Sequence, residues 1–351
     1  MLRKRHASPR QKGKSRHYLI EAAERSHMTG GLRQIRKVRS HHAARPDDTF
    51  ICCASFEERC LGTIRRFDDY QCRHAYIFEY EQPNAQRDRN LREMERSLRT
   101  LCPSETLRAR QSDPLPAVAR LAHEIEAART GAGGIITIDI STFTKRHLLL
   151  LLKSLDALGM WDSLRLLYTE PKEYVTDLYL QMSTGVRQIN PIPGFINSES
   201  LSKPLLLVIL LGYERDRAMA LFSAMDPNET LLVVPDPPYH TEWKGRTEDM
   251  NRDLITLIGE ERLKRAHCLD PLKTADDLSR MLGPRAPYPL RDWHCCIAPL
   301  ASKPQAVGLY LFWRSNPGRF SIIYAQPLKH NESFYSEGTG RTWQVLGPER
   351  Q

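Results

Sequence analysis

The residues of this chain best suited to chemistry lie in short polar turns that follow apolar runs. In residues 135–152, IITIDISTFTKRHLLLLL, an Ile-rich run gives way to the hydroxyls of Ser141, Thr142 and Thr144, the cations Lys145 and Arg146, and a second apolar stretch. The first run predicts a strand covered on both faces, and the hydroxyls are candidate N-caps of a following helix. Where a strand turns into a helix, unpaired backbone N–H groups and the helix dipole point outward together, so the chemistry such a turn supports is anion binding. A lysine at that place opposes the dipole unless an anion sits with it, and phosphate suits it best.

The same arrangement returns later. Ser302, Lys303 and Gln305 follow an apolar run within residues 295–311, CCIAPLASKPQAVGLYL. Two further turns match each other: Ser55, Glu57 and Arg59 after the run beginning TFICCA, and Gly212, Tyr213, Glu214 and Arg217 after LLLVILL. Glu57 and Glu214 are 157 positions apart, Asp113 and Asp270 also 157, Lys145 and Lys303 158, and Tyr168 and Tyr324 156. Matches at so constant an offset define an internal duplication, and each copy is one packed unit. Common descent alone also accounts for the recurrence. Glu57 and Glu214 are equally first-turn acids that suit a helix dipole, and Lys145 could pair with a neighbouring carboxylate.

The elements that must position these turns alternate. In the first copy, strands are predicted over 49–54, 75–79, 106–109, 135–140 and 164–168, with helices over 57–67, 89–101, 116–129 and 145–158. In the second, strands fall over 205–211, 230–234, 265–269, 294–299 and 320–325, with helices over 215–224, 247–258, 274–282 and 305–314. This is the pattern of an α/β protein: two tandem Rossmann-like units with mostly parallel sheets, at 49–197 and 205–351, related by duplication and separated by a linker at 198–204. The tail over 328–351 has no counterpart in the first copy and is expected to cross over or cover the joint.

A chain of 351 residues suits two such units. Its net charge of +9 is concentrated at one end: residues 1–45 hold 13 Lys and Arg against two acids, and the remaining 306 residues sum to about −2. Residues 1–48 therefore read as a basic, largely flexible arm with one short helix near 18–26. It is a solubilising tail, a contact for nucleic acid or a protein partner, or a transit peptide. The eight cysteines form no C-x-x-C pair and read as core fillers, with neither a zinc site nor a disulfide framework. The longest apolar run is too short to span a bilayer, so a soluble, cytoplasmic protein without membrane contact is expected. No P-loop, dinucleotide fingerprint, nucleophile elbow or H-E-x-x-H motif is present. No cofactor or metal is expected, and His240 is an isolated candidate acid or base.

The turn ending Thr144-Lys145 after a hydrophobic strand resembles the T-G-G-T-K loop of CRISPR-associated Rossmann-fold (CARF) sensors. Two such units in one chain are similar to the SAVED domains of bacterial anti-phage systems. The family's Gly-Gly is Thr142-Phe143 in the first copy and Leu300-Ala301 in the second. The resemblance implies a cyclic oligonucleotide spanning the joint, held by Thr144 and Lys145 from one unit and Ser302 and Lys303 from the other. A nucleotide sensor or adaptor acting through a separate effector protein is thus the expected function. Two others stay open: a nucleotide-processing enzyme with Glu57 or Glu214 as base, and a non-catalytic scaffold.

Overall fold

The computed structural model describes residues 32–41, 45–128, 134–174, 182–198, 200–332 and 335–348. The first half runs β1 (Arg33–Ile35), β2 (Asp47–Cys53), β3 (Cys72–Tyr80), α1 (Ala85–Arg99), β4 (Ser104–Ala109), α2 (Leu115–Ala128), β5 (Ile136–Asp139), α3 (Lys145–Ala157), β6 (Leu164–Tyr174) and β7 (Ser183–Pro191). The second half runs β8 (Leu205–Leu210), α4 (Arg215–Met225), β9 (Glu229–Pro235), α5 (Arg246–Met250), α6 (Arg252–Ile258), β10 (Leu263–Ala266), α7 (Pro271–Leu282), β11 (His294–Pro299), α8 (Lys303–Ser315), β12 (Ser321–His330) and β13 (Ser336–Leu346).

These elements form two sheets, ordered β1-β13-β6-β5-β2-β3-β4 and β10-β9-β8-β11-β12-β7. Within each, five strands are parallel and follow one order, the repeat's third, second, first, fourth and fifth. The fold is therefore α/β with two mostly parallel sheets, and it carries the duplication in its topology. The order reverses between β2 and β5 and again between β8 and β11. Those two switch points are where an open α/β sheet parts to form a crevice.

The sheets do not follow the sequence boundary between the copies. β7, from the stretch assigned to the first unit, pairs antiparallel with β12 of the second sheet. β13, from the second, pairs antiparallel with β6 of the first. Each sheet thus takes the antiparallel strand beside its fifth parallel strand from the other copy, so the tail does cross over. The sequence pattern misses both strands because much of each is exposed or half-exposed, β7 at a sheet edge and β13 beside the three-residue β1, and this removes the continuous apolar signal. The segment around Arg33 is a further correction. Residues 32–41, expected in the flexible arm, contribute β1, which pairs with β13, and Val38, buried at 2% exposure and bridged to Phe67. Residues 1–31, with the expected helix near 18–26, lie outside the described residues.

Two predicted helices differ as well. Instead of one helix over 57–67, the chain makes two short 3-10 turns, Glu58–Leu61 and Ile64–Arg66. Arg59 turns inward to an ion pair, and at Gly62 the backbone lies so close to β6 that a Cβ would fall 2.5 Å from the Thr169 side chain. The predicted helix over 247–258 is split at Asn251, whose side-chain amide donates to the carbonyls of Gly212 at 2.9 Å and Thr247 at 2.8 Å.

α3 and α8 join the halves. The Tyr310 hydroxyl donates to Asp156 Oδ2 at 2.7 Å and the Arg314 Nε to the same oxygen at 2.9 Å. A single buried apolar cluster runs from Ile51 and Phe78 through Leu148 and Leu152 to Val208, Ile297 and Tyr310. All eight cysteines are free and buried within the core.

Candidate functional site at the joint of the two sheets

Lys145 and Lys303 are the first residues of α3 and α8, and both helices are capped by the residue before. Thr144 Oγ1 accepts from the His147 N–H at 3.3 Å. Ser302 Oγ accepts from the Gln305 N–H at 3.0 Å, and the Gln305 side chain returns the bond to the Ser302 N–H at 3.3 Å, closing a capping box. Thr144, Ser302 and Gln305 therefore fix the turns that present the lysines. The lysines themselves lean across the joint: Lys145 Nζ donates to the Leu300 carbonyl of the other copy at 2.9 Å. Lys303, half-buried, makes no hydrogen bond or ion pair among the described residues.

Beside each lysine stands an ion pair from the opposite copy. Arg59 holds Glu57 with two bonds, Nε to Oε2 at 2.8 Å and Nη2 to Oε1 at 3.0 Å. Its other nitrogen donates to the Tyr168 hydroxyl at 3.2 Å, and the guanidinium lies 5.8 Å from that ring's centre. In the second copy Arg217 pairs with Glu214, donates from Nε to the Ala325 carbonyl at 3.0 Å and lies 5.4 Å from the Tyr324 ring centre. The exchanged strands complete both pairs. Ser336 at the start of β13 donates to Glu57 Oε2 at 2.6 Å, and Ser183 at the start of β7 donates to Glu214 Oε1 at 2.7 Å.

Four cationic side chains thus meet two carboxylates, and most of these groups are buried: Arg59 is 2% exposed, Arg217 4% and Lys145 9%. Burial, and after it the charge of Lys303, holds the Lys145 ammonium well below the usual lysine range. Burial, then Arg59, brings Lys303 down to about 8. Burial alone would raise the two carboxyls. It is outweighed by Arg59 at Glu57 and by Arg217 and Lys145 at Glu214, so both stay ionised below the ordinary range. The surplus at the joint is positive, and an anion is what would neutralise it.

Two adjoining cavities open here, sharing Lys145, Glu214, Lys303 and Tyr335. One, of about 690 Å³, lies over the second sheet and takes in Gly212, Tyr213, Ser302 and Gln305 together with Arg59. The other, of about 1030 Å³, lies over the first sheet and takes in Ser55, Glu57 and Thr144 together with Arg217. Each cavity is therefore built from one sheet's turns and the other copy's arginine.

Two expected site residues fall elsewhere. Ser141 is fully buried, accepts from the Thr169 N–H at 2.8 Å and donates to Asp139, tying strand ends together beneath the cavity. Arg146 points away and donates to the Ser112 carbonyl at 3.2 Å. His240 lines neither cavity; its ring packs on Trp243 at 4.3 Å between centroids. Arg217, already named among the matching turns, takes its expected place, whereas Tyr168, Tyr324, Ser183 and Ser336 stand beside these groups without having been read as site residues. The serines carried a signal: Ser183-Thr184-Gly185 and Ser336-Glu337-Gly338 match, and both glycines hold a positive φ, of 61° and 63°. Their offset departs from that of the other matches, which hid them. Among the described residues no group of three or more His, Cys, Asp or Glu is placed to hold a metal ion, and no helix is long and apolar enough to cross a membrane.

No family model matches the chain, and no curated protein does. Among solved structures it is similar to Can2 from Sulfobacillus thermosulfidooxidans, solved in complex with cyclic tetra-adenylate. The identity is 13%, covering 35% of this chain and 32% of that one, with a TM-score of 0.22. The match thus spans about a third of Can2's length. It is also similar to a functionally unknown protein of Pseudomonas aeruginosa PAO1, at 12% identity over 80% of this chain and 93% of that one, with a TM-score of 0.23. What the site does has to be read from its own residues.

Proposed function

We propose that the chain binds a phosphate-bearing nucleotide, cyclic oligonucleotides included, across the joint of its two sheets. The observation that carries this reading is the surplus of buried positive charge where two switch-point crevices meet, with Lys145 and Lys303 at the helix N-termini. Buried cations without matching carboxylates cost stability, and a site that retains them is suited to an anion that supplies the missing charge. The resemblance to CARF and SAVED sensors supports a role as a sensor or adaptor in bacterial defence, in the cytoplasm, acting through a separate effector. The basic residues that precede β1 supply a contact for nucleic acid or protein in that setting.

The enzyme reading with Glu57 or Glu214 as base fits less well. Each carboxylate already accepts from an arginine and a serine and is held ionised. The scaffold reading requires a broad apolar face, whereas the large exposed apolar side chains among the described residues are few: Leu115, Ile196, Leu201, Leu257 and Leu328.

The test is thermal stabilisation by a panel of mono-, di- and cyclic oligonucleotides, cyclic tetra-adenylate among them, run beside Lys145→Ala and Lys303→Ala. A ligand at 100 times its Kd adds about 2.7 kcal/mol. Stabilisation of the wild type by one class and its loss in both variants supports the reading; a shift that survives both substitutions overturns it. Chromatography of the ligand after incubation separates a sensor from an enzyme.

A further inference from the structure

Of the eight cysteines, two differ from the rest in setting. Cys72 opens β3, and Cys102 lies between the end of α1 and the start of β4. Their sulfurs stand 3.0 Å apart, the Cys72 thiol donating to Cys102. The backbone is fixed on both sides of this contact. The Cys102 N–H donates to the Leu98 carbonyl at 3.0 Å, closing the last turn of α1, and the Ala75 N–H donates to the Pro103 carbonyl at 2.9 Å, where the β3–β4 pairing begins. The two are also the most open of the cysteines, at 6% and 8% exposure against 3% or less for the others. The bond from Cys72 holds the Cys102 thiol below the ordinary cysteine range against the effect of burial, and the same bond, with burial added, pushes Cys72 up. At each of the other cysteines burial raises the thiol. Proximity, access and thiolate character therefore coincide at this one pair.

We infer that Cys72 and Cys102 are a redox modification site, joined by a peroxide into a disulfide that staples the start of β3 to the end of α1. Cys102 supplies the attacking thiolate. Its sulfur bonds to one peroxide oxygen, the O–O bond breaks, and the other oxygen leaves as water or an alcohol, taking up the proton the thiol has lost. The Cys72 sulfur then attacks the sulfenic sulfur of Cys102. The S–S bond forms, the S–O bond breaks, and the oxygen departs as water with the Cys72 proton. Two thiols are oxidised and one peroxide is reduced. Reaching a bond of about 2.05 Å from the present contact asks the sulfurs to close by roughly an ångström. The crosslink closes the stretch that holds β3 and α1, which restricts the unfolded chain and so stabilises the first sheet. Both cysteines lie at the amino ends of β3 and β4, the edge of the sheet opposite the turns that carry Glu57 and Lys145. The inference therefore stands apart from the nucleotide reading.

The test is hydrogen peroxide added to the whole folded chain, followed by thiol counting and by mass spectrometry of a non-reducing digest. Two of the eight thiols should be lost, with Cys72 and Cys102 joined in one crosslinked pair of peptides. The melting temperature should rise by about 3 °C or more and return to its first value in dithiothreitol. Cys72→Ser should stop at a sulfenic acid on Cys102, captured by dimedone, and Cys102→Ser should take up none. The wild-type digest carries the test alone if either variant fails to fold. Thiol loss spread over the other cysteines overturns the inference. So does a wild type that keeps all eight thiols at peroxide concentrations that oxidise free cysteine, or a crosslinked form that melts no higher than the reduced one.

Discussion

Lys303 begins α8 with its ammonium brought down to about 8 by burial and the neighbouring Arg59. A lysine whose folded pKa lies below its unfolded value opposes folding in its charged form. That cost is full below about pH 8 and fades as the pH rises towards the ordinary lysine value of 10.5. The ligand-free protein should therefore gain stability from this residue between those pH values. Binding runs the other way, because a bound phosphate favours the charged lysine. Affinity for a nucleotide, measured by calorimetry from pH 6.5 to 9.5, should be flat below about pH 8 and fall above it, by at most about tenfold per pH unit for one lysine. A profile that is flat to pH 9.5 would remove Lys303 from the binding groups. The ion pairs beside it make a second prediction at this scale. Arg59→Ala strands Glu57, itself 6% exposed, and should cost about 3–5 kcal/mol in denaturant unfolding. Ser336→Ala, which removes one donor and leaves the pair intact, should cost nearer 1 kcal/mol.

At the scale of elements, α3 and α8 hold the two lysines at one place because Asp156 ties the helices together through Tyr310 and Arg314. Asp156→Ala should lower stability by about 1–3 kcal/mol in denaturant unfolding and should weaken nucleotide binding as well, since both helix N-termini lose their mutual register. Destabilisation with unchanged affinity would show the lysines to be positioned by their own turns alone. The parallel strands and most helices were legible in the sequence because a doubly covered strand leaves a continuous apolar run and a helix leaves a period. Residues 135–140 and 205–211 show the first, and α7 with its Asp270 cap shows the second. β7 and β13 were not legible: β7 closes its sheet at an edge, β13 is flanked on its outer side only by the three-residue β1, and the side chains of both are largely half-exposed or exposed. The lysine turns could be read from Thr144-Lys145 and Ser302-Lys303, whereas of the rings lining the cavity over the second sheet only Tyr213 could. Tyr239 and Trp243 lie on a loop without periodicity and without a counterpart in the first copy, so neither pattern nor repeat marks them.

At the scale of the molecule, the exchange of β7 and β13 means that neither sheet can be completed by its own copy. With the apolar cluster continuous through α3 and α8, residues 32–348 should unfold in one cooperative transition, with calorimetric and van't Hoff enthalpies agreeing. Two resolved transitions would contradict a shared core. The same construction places the positive surplus at the centre of the chain, where it weakens the fold it occupies. The most direct measurement is therefore the melting temperature of wild type and Lys303→Met, each with and without the nucleotide panel at pH 7. Removing a half-buried cation that has no ion-pair partner among the described residues should raise the ligand-free melting temperature by about 2 °C or more and abolish the shift that nucleotide gives the wild type. A variant that melts lower and still responds to nucleotide would make Lys303 a structural residue and leave the joint without its binding role.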